Sequence, residues 1–319
     1  MAQWTVAMAS SHAFAVTDPA RWDADRARNR AVYVGRMGVE PPEQPGIVPE
    51  TDEVVAARYA HVREAFAFLR RKLAAARPDV LIMVADDQNE NFTDANLPQL
   101  AIYVGDGFMV GRRGDTEGPH YRSRPDLAEA ILTGCVEADI DMASVRSFPN
   151  DLLCAHAFGP VLRVVDPEAR VPVIPVFVNA IHVPAPSPAR CYYLGQVLGR
   201  IVRAYTGVGR VALYASGGLS HFTGGYPWAH YLGPHGYGAI DETFDRWLLE
   251  RLATGDGRAL AALTSTDLLD HGEIELRAWI ALLGVIGDVR PELVVYEPFY
   301  RAIMGMGVAC WDLAGRVLP

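Results

Sequence analysis

Histidines and acids gather at a few points of this chain where they could hold a metal or move a proton. His12 stands in "SSHAF", and "DDQNENF" brings Asp86, Asp87, Gln88 and Glu90 close together. Asn179 and His182 follow in "NAIH", and Ser216, Ser220 and His221 in "SGGLSH". His156 lies in "CAHAFGPVL", with an alanine on each side that leaves room for a ligand. Glu275 lies in "GEIELRAW", on a run otherwise apolar through Trp279, Ile280, Leu282 and Leu283. A carboxylate in such company needs a partner, and a metal ion is one candidate. Asp270 and Glu273 have the spacing of a capping box and are expected to start a helix, which leaves Glu275 over. His12, Glu275 and one further ligand would make a facial set with open positions. That arrangement suits a non-heme Fe(II) that must bind both substrate and dioxygen. The ligands come from distant parts of the chain, so spacing alone does not establish it.

Four apolar runs must position these groups. Residues 3–9 ("QWTVAMA"), 80–85 ("VLIMVA"), 171–178 ("VPVIPVFV") and 210–215 ("RVALYA") read as strands covered on both faces. Helical spacing recurs over 53–76, 188–205, 242–253 and 272–286. This alternation predicts an α/β fold: one domain over residues 1–319, with a central mixed sheet flanked by helices. Ligand sites of such sheets gather at the carboxyl ends of strands. The His12, Asp86–Glu90, Asn179–His182 and Ser216–His221 clusters each follow one of the runs, so they are expected to converge on one pocket. Residues 18–49 and 105–125 are expected to be long loops around it. His61, His120, His230 and His235 take structural readings.

Composition narrows the function. The chain has 319 residues, is 50% hydrophobic and carries a net charge of −9. A non-specific nucleic-acid role wants clustered cations, and Arg70, Arg71 and Lys72 read as a solvated helix face. Cys135, Cys154, Cys191 and Cys310 show no CxxC spacing and read as buried thiols. No signal peptide and no apolar run of membrane-spanning length is evident, so a cytoplasmic protein without a membrane partner is expected. HExxH, P-loop and GxGxxG motifs are absent, and "GLSHF" is not GxSxG.

In order, "MASSHAF", "CAHAFGPVL", "VPVIPVFVNAIHVPAPSPARCYYLGQVLG", "YASGGLSH" and "GEIELRAW" resemble the successive signatures of the class III extradiol ring-cleavage dioxygenases. The likeness is to the catalytic subunit of protocatechuate 4,5-dioxygenase and the methylgallate dioxygenases, and it covers most of the chain. It implies Fe(II) as cofactor, a small catechol- or gallate-type substrate, dioxygen and, as the expected assembly, a homo-oligomer. His12 and Glu275 match iron ligands, His221 the acid–base histidine, and His156 the histidine that stabilises the charged intermediate. One position departs: Gln88 stands where the family has its second iron-binding histidine, directly after an aspartate. Asp86, Asp87 and Glu90 are alternative ligands or supports, with Glu90 the main rival.

By the same resemblance, a catechol binds the metal through adjacent oxygens, His221 moves the proton, and the ring opens beside the diol. Asn179, His182 and Ser220 are candidates for contacting substrate, and Arg112, Arg113 and Arg122 for pairing with a substrate carboxylate. Two other readings stay open: a related metal-dependent oxygenase with a non-catechol substrate, and a non-catalytic member of the fold that binds a ligand.

Overall fold

The computed structural model describes residues 2–12, 16–111, 115–149, 153–225, 227–228, 231 and 233–319. The first half of the chain forms β1 (Gln3–Ser10), α1 (Trp22–Met37), α2 (Asp52–Ala76), β2 (Val80–Ala85), β3 (Leu100–Tyr103), β4 (Gly107–Met109), β5 (His120–Arg122), α3 (Pro125–Glu137) and β6 (Ala143–Val145). The second forms α4 (Gly159–Val165), β7 (Val173–Val178), α5 (Pro188–Ala204), β8 (Arg210–Ser216), α6 (Glu242–Thr254), α7 (Gly257–Ala261), α8 (Ser265–Asp270), α9 (Leu276–Ile286), β9 (Leu293–Phe299) and β10 (Met304–Asp312).

The four apolar runs are neighbours. In the eight-stranded sheet the order is β6-β3-β7-β2-β8-β1-β10-β9, and β7, β2, β8 and β1 run parallel at its centre. Helices cover both faces, which is why these strands are apolar without alternation. Side chains of α3, α5, α7 and α9 pack on one face, and those of α2 and α4 on the other. Antiparallel pairing enters at β3–β7, β1–β10 and β10–β9, so the sheet is mixed, as expected. The four cysteines are buried free thiols. Among the described residues no helix is long and apolar enough to cross a membrane.

Three expectations need correction. Residues 18–49 are not a loop throughout, because α1 occupies their middle. Only Trp22 and Asp25 of that helix are buried, so it carries too little apolar periodicity to be read. Residues 105–125 contain the two-stranded β4–β5 sheet. The last correction concerns Glu273. The capping box of this region joins Thr264 to Asp267 at the start of α8, and α9 begins only at Leu276 with Glu275 as its N-cap residue. Glu273 is instead fully buried beside Asp245, and burial together with the Asp245 charge holds its carboxyl well above the usual range.

Glu275 is placed by α9, and α9 is placed by α5. All eleven residues of α9 are buried, and its crossing with α5 runs through glycines. A Cβ on Gly195 would lie 1.9 Å from the Ala281 carbonyl, and one on Gly284 2.1 Å from that of Tyr192. Gly195→Ala is therefore expected to push the helices apart and destabilise the protein by about 1–3 kcal/mol. Gly199→Ala, one turn further along the same helix, meets the movable end of Arg203 at 3.3 Å and the Val285 backbone at an ordinary contact distance of 3.6 Å. It should be neutral or stabilising through helix propensity, by up to about 1 kcal/mol. Urea denaturation of the two variants tests this, and equal losses would refute the close-crossing account.

Candidate active site

Three strand ends and one helix start build the floor of a cavity of about 410 Å³. After β1, the Ser11 hydroxyl oxygen accepts the amides of Leu219 (2.9 Å) and Gly307 (3.1 Å), which fixes the turn that presents His12. After β8, the chain passes directly against Glu275. A Cβ on Gly217 (φ +151°) would lie 2.8 Å from the Glu275 Cβ. The Gly218 amide donates to Glu275 Oε2 at 2.9 Å, and the Trp279 indole donates to the Gly217 carbonyl at 2.9 Å. Asp86 follows β2 immediately.

These elements bring His12, Asp86 and Glu275 together, with one ligand-type atom of each within 4.8 Å of the others. His12 Nε2 lies 3.8 Å from Glu275 Oε2 and 4.0 Å from Asp86 Oδ1. All three residues are buried, and neither Asp86 oxygen has a well-formed hydrogen bond, although the Gln88 side chain lies close enough to favour its charged form. Burial, Glu275 and Asp87 raise the Asp86 carboxyl well above its usual range. Burial depresses the His12 imidazole to about 4, so it is a neutral donor at physiological pH. Burial pushes the Glu275 carboxyl up, but the His12 and His221 rings, with hydrogen bonds from His221 and Gly218, hold it below the carboxylate range. With the Asp86 oxygens and His12 Nδ1 left without well-formed hydrogen bonds, two acids and a neutral imidazole form a set that a divalent cation would complete.

The polar residues of "DDQNENF" after Asp86 have partners of their own. Asp87 accepts the amides of Glu90 (3.1 Å), Asn91 (2.9 Å) and Phe92 (3.1 Å), so it caps the loop and turns away from the cluster. The Gln88 amide nitrogen donates to Glu275 Oε1 at 2.6 Å. Gln88 therefore meets the site as a donor to a carboxylate, while Asp86 is the residue of this segment that stands within ligand distance of His12 and Glu275. Asp86 and Gln88 share a face of the extended chain. The backbone then turns at Asn89 (φ +65°), which removes Glu90 from that face. Glu90 binds His156 instead, accepting its main-chain amide at 2.9 Å and its Nδ1 at 2.6 Å. Asn91 holds the same segment through the Leu153 carbonyl and the Ala155 amide.

His221 and His156 both line the cavity with His12, Gln88 and Glu275. The Leu219 carbonyl lies 2.7 Å from His221 Nδ1 and so fixes the hydrogen on that nitrogen, while Nε2 is 3.4 Å from Glu275 Oε1. Burial alone would lower the His221 pKa, but the Glu275 carboxylate outweighs it and the ring sits above its ordinary value. The three substrate-contact candidates do not line the cavity. Asn179 binds Gln99 and closes the turn to His182, and His182 supports Asn89 at 2.6 Å. Ser220 is held between Asp245 and the Asp241 amide. Arg122 reaches the Arg170 carbonyl, away from the cavity, and Arg112, Arg113 and His230 lie outside the described residues.

Sequence reading placed residues 18–49 around the pocket but missed the helix and the side chains that form its outer wall. Arg21, Asp25, Arg28, Asn29, Val32 and Arg36 line the cavity from α1 and the turn before it. Their three- and four-residue spacing was the available signal. Asp25 and Arg28 pair with each other. Ile181, Ile274, Trp228 and Pro160 add apolar surface suited to a ring.

Residues 44–307 match the family described as the catalytic LigB subunit of aromatic ring-opening dioxygenase. The chain belongs to this family. Its members are metal-dependent oxidoreductases of aromatic catabolism, and the class III extradiol resemblance is thereby shown. A 2,3-dihydroxyphenylpropionate/2,3-dihydroxicinnamic acid 1,2-dioxygenase of Burkholderia vietnamiensis is 28% identical over 81% of this chain and 87% of its own. A protein of the same name from a Rhodococcus species is 26% identical over 85% and 93%. An uncharacterized Escherichia coli K12 protein of known crystal structure aligns over 97% of this chain and 100% of its own, at 14% identity and a TM-score of 0.49.

The two neighbouring aspartates should respond oppositely to substitution. Asp86→Asn removes one of two crowded buried charges, so the metal-free protein is expected to be as stable as the parent or more so. Asp87→Ala strands three loop amides and should cost about 1–3 kcal/mol. Thermal unfolding of chelator-treated protein checks both. A larger loss for Asp86→Asn than for Asp87→Ala would contradict the division of roles.

Proposed function

We propose that this protein is an Fe(II)-dependent extradiol dioxygenase that opens a catechol-type ring bearing a carboxylate side arm. The observation that carries this reading is the buried His12–Asp86–Glu275 cluster on the cavity floor. Its donor set, one imidazole and two carboxylates, fits a divalent iron with positions left for other ligands. When bound, the metal supplies Lewis acidity toward a catechol hydroxyl and redox chemistry with dioxygen.

The chain's own residues do the rest. Gln88 and the Gly218 amide orient Glu275 from two sides, leaving little freedom in its carboxylate. His221 holds hydrogen on Nδ1 against a carbonyl, so Nε2 is the atom that takes and returns a substrate proton. His156, with its Nδ1 anchored by Glu90, presents a carboxylate-backed imidazole that stabilises negative charge as the ring opens. Trp228, Ile181 and Ile274 exclude water around the ring, while Arg21, Arg28 and Arg36 give α1 the charge to receive a carboxylate arm. The relatives' printed substrates carry such an arm, which supports the assignment.

Oxygen uptake with Fe(II)-loaded protein over catechols with and without a carboxylate arm tests the reading. His221→Ala should keep iron and lose roughly a hundred- to ten-thousand-fold in kcat. Asp86→Ala and Glu275→Ala should lose iron, whereas Gln88→Ala should retain it with weaker affinity. Arg28→Ala should raise KM about tenfold for carboxylated catechols alone. Full iron content in Asp86→Ala, or no oxygen uptake with any catechol by the iron-loaded parent, would overturn the corresponding claim.

A further inference from the structure

We propose that His235, Asp241 and His271 form a second divalent-cation site, with a donor set suited to Zn(II), that ties together the two segments supporting His221. The three are absent from the cavity lining, yet one ligand-type atom of each lies within 4.8 Å of the others. Asp241 precedes α6 and divides its carboxylate. Oδ1 accepts the Phe244 amide at 3.0 Å, while Oδ2 faces His271 Nδ1 at 2.7 Å and His235 Nε2 at 3.2 Å. Both rings are held by aromatic neighbours: His271 stacks on Phe244 at 3.9 Å with planes 8° apart, and His235 packs on Phe222 at 5.0 Å. Their nitrogens are thus aimed at one anionic oxygen before any ion arrives.

A tetrahedral zinc with N and O ligands at about 2.0–2.1 Å separates those ligands by roughly 3.3 Å; the His235–Asp241 pair already stands at 3.2 Å, while the His271–Asp241 pair, hydrogen-bonded at 2.7 Å, would have to open to admit the ion. Two imidazoles and a monodentate carboxylate are a typical three-ligand zinc set, with water in the fourth position. Exposure allows this, since the His235 and His271 side chains are 28% and 36% accessible.

The location gives the site a consequence. The Asp241 amide donates to the Ser220 hydroxyl at 2.8 Å, directly before His221. His271 directly precedes Gly272, whose carbonyl accepts the His221 amide at 3.1 Å. An ion joining Asp241 to His271 fixes both supports of His221, so the cluster acts as a positioning site. It does not depend on the ring-cleavage reading.

The test loads chelator-treated protein with Co(II) or Zn(II) and reads metal equivalents, visible Co(II) absorption and Tm. The parent is expected to bind one equivalent more than either His235→Ala or His271→Ala, and each variant to lose the associated Co(II) band and part of the metal-dependent rise in Tm. Glu275→Ala, with the cavity floor disabled, should still bind one equivalent with that band. Unchanged stoichiometry, absorption and Tm response in both histidine variants would overturn the site. If either variant does not fold, Glu275→Ala decides: retention of one Co(II) with the band supports the site, and none refutes it. A parent that binds one equivalent, lost only in the histidine variants, would support this site while failing the floor cluster.

Discussion

Two carboxylates, Asp86 and Glu275, are buried on one cavity floor, and most of the surrounding structure answers to that fact. Charge in a water-poor site is tolerated only with donors or an ion beside it. Glu275 receives the Gly218 amide and the Gln88 side chain, and it draws on two imidazoles. Asp86 receives no such set. The site is therefore incomplete in protein atoms alone. That incompleteness is what makes a bound cation the natural counterpart, and it explains why the acids sit beside a neutral histidine rather than a lysine or arginine.

Crowding on this floor dictates the backbone around it. The strand end after β8 must pass within van der Waals reach of Glu275, and Gly217 and Gly218, both at positive φ, allow that passage. The α5–α9 crossing uses glycines for a similar reason, since α9 carries Glu275 into the core. The third strand end shows division of labour within seven residues. Asp86 faces the cluster, Asp87 closes the loop, Gln88 steadies Glu275, and Glu90 and Asn91 hold the His156 segment.

The parallel centre of the sheet was legible because continuous apolar runs have one main explanation, burial on both faces. The convergence of His12, "DDQNENF" and His221 followed from strand ends alone. The elements that escaped are those whose stability comes from context. Strands β3 and β6 are too short to show a period, β10 is interrupted by Gly305 and Gly307, and α1 has little to bury. The division of partners within "DDQNENF" escaped for a different reason. Alternation of faces holds only while the chain stays extended, and the turn at Asn89 broke the register that paired Gln88 with Glu90. Glu273 was misread because its capping spacing is real, while its side chain goes to the core beside Asp245. Ser220 was misread as a substrate contact because its place next to His221 hid a structural duty.

Floor and wall differ in how they can change. The floor is built from central strands and a fully buried helix, where a shift of one ångström disturbs core packing and several hydrogen bonds together. The wall is built from α1, a helix in which only Trp22 and Asp25 are buried and the rest is half-buried or exposed. Its cavity-facing residues contribute little to the core, so they can be exchanged at small cost in stability. A fold arranged this way can keep one metal-dependent reaction while altering which side arm it admits. The chemistry is set by groups that cannot move independently. On the proposed reading, selection among ring substrates falls to Arg21, Arg28 and Arg36, which can.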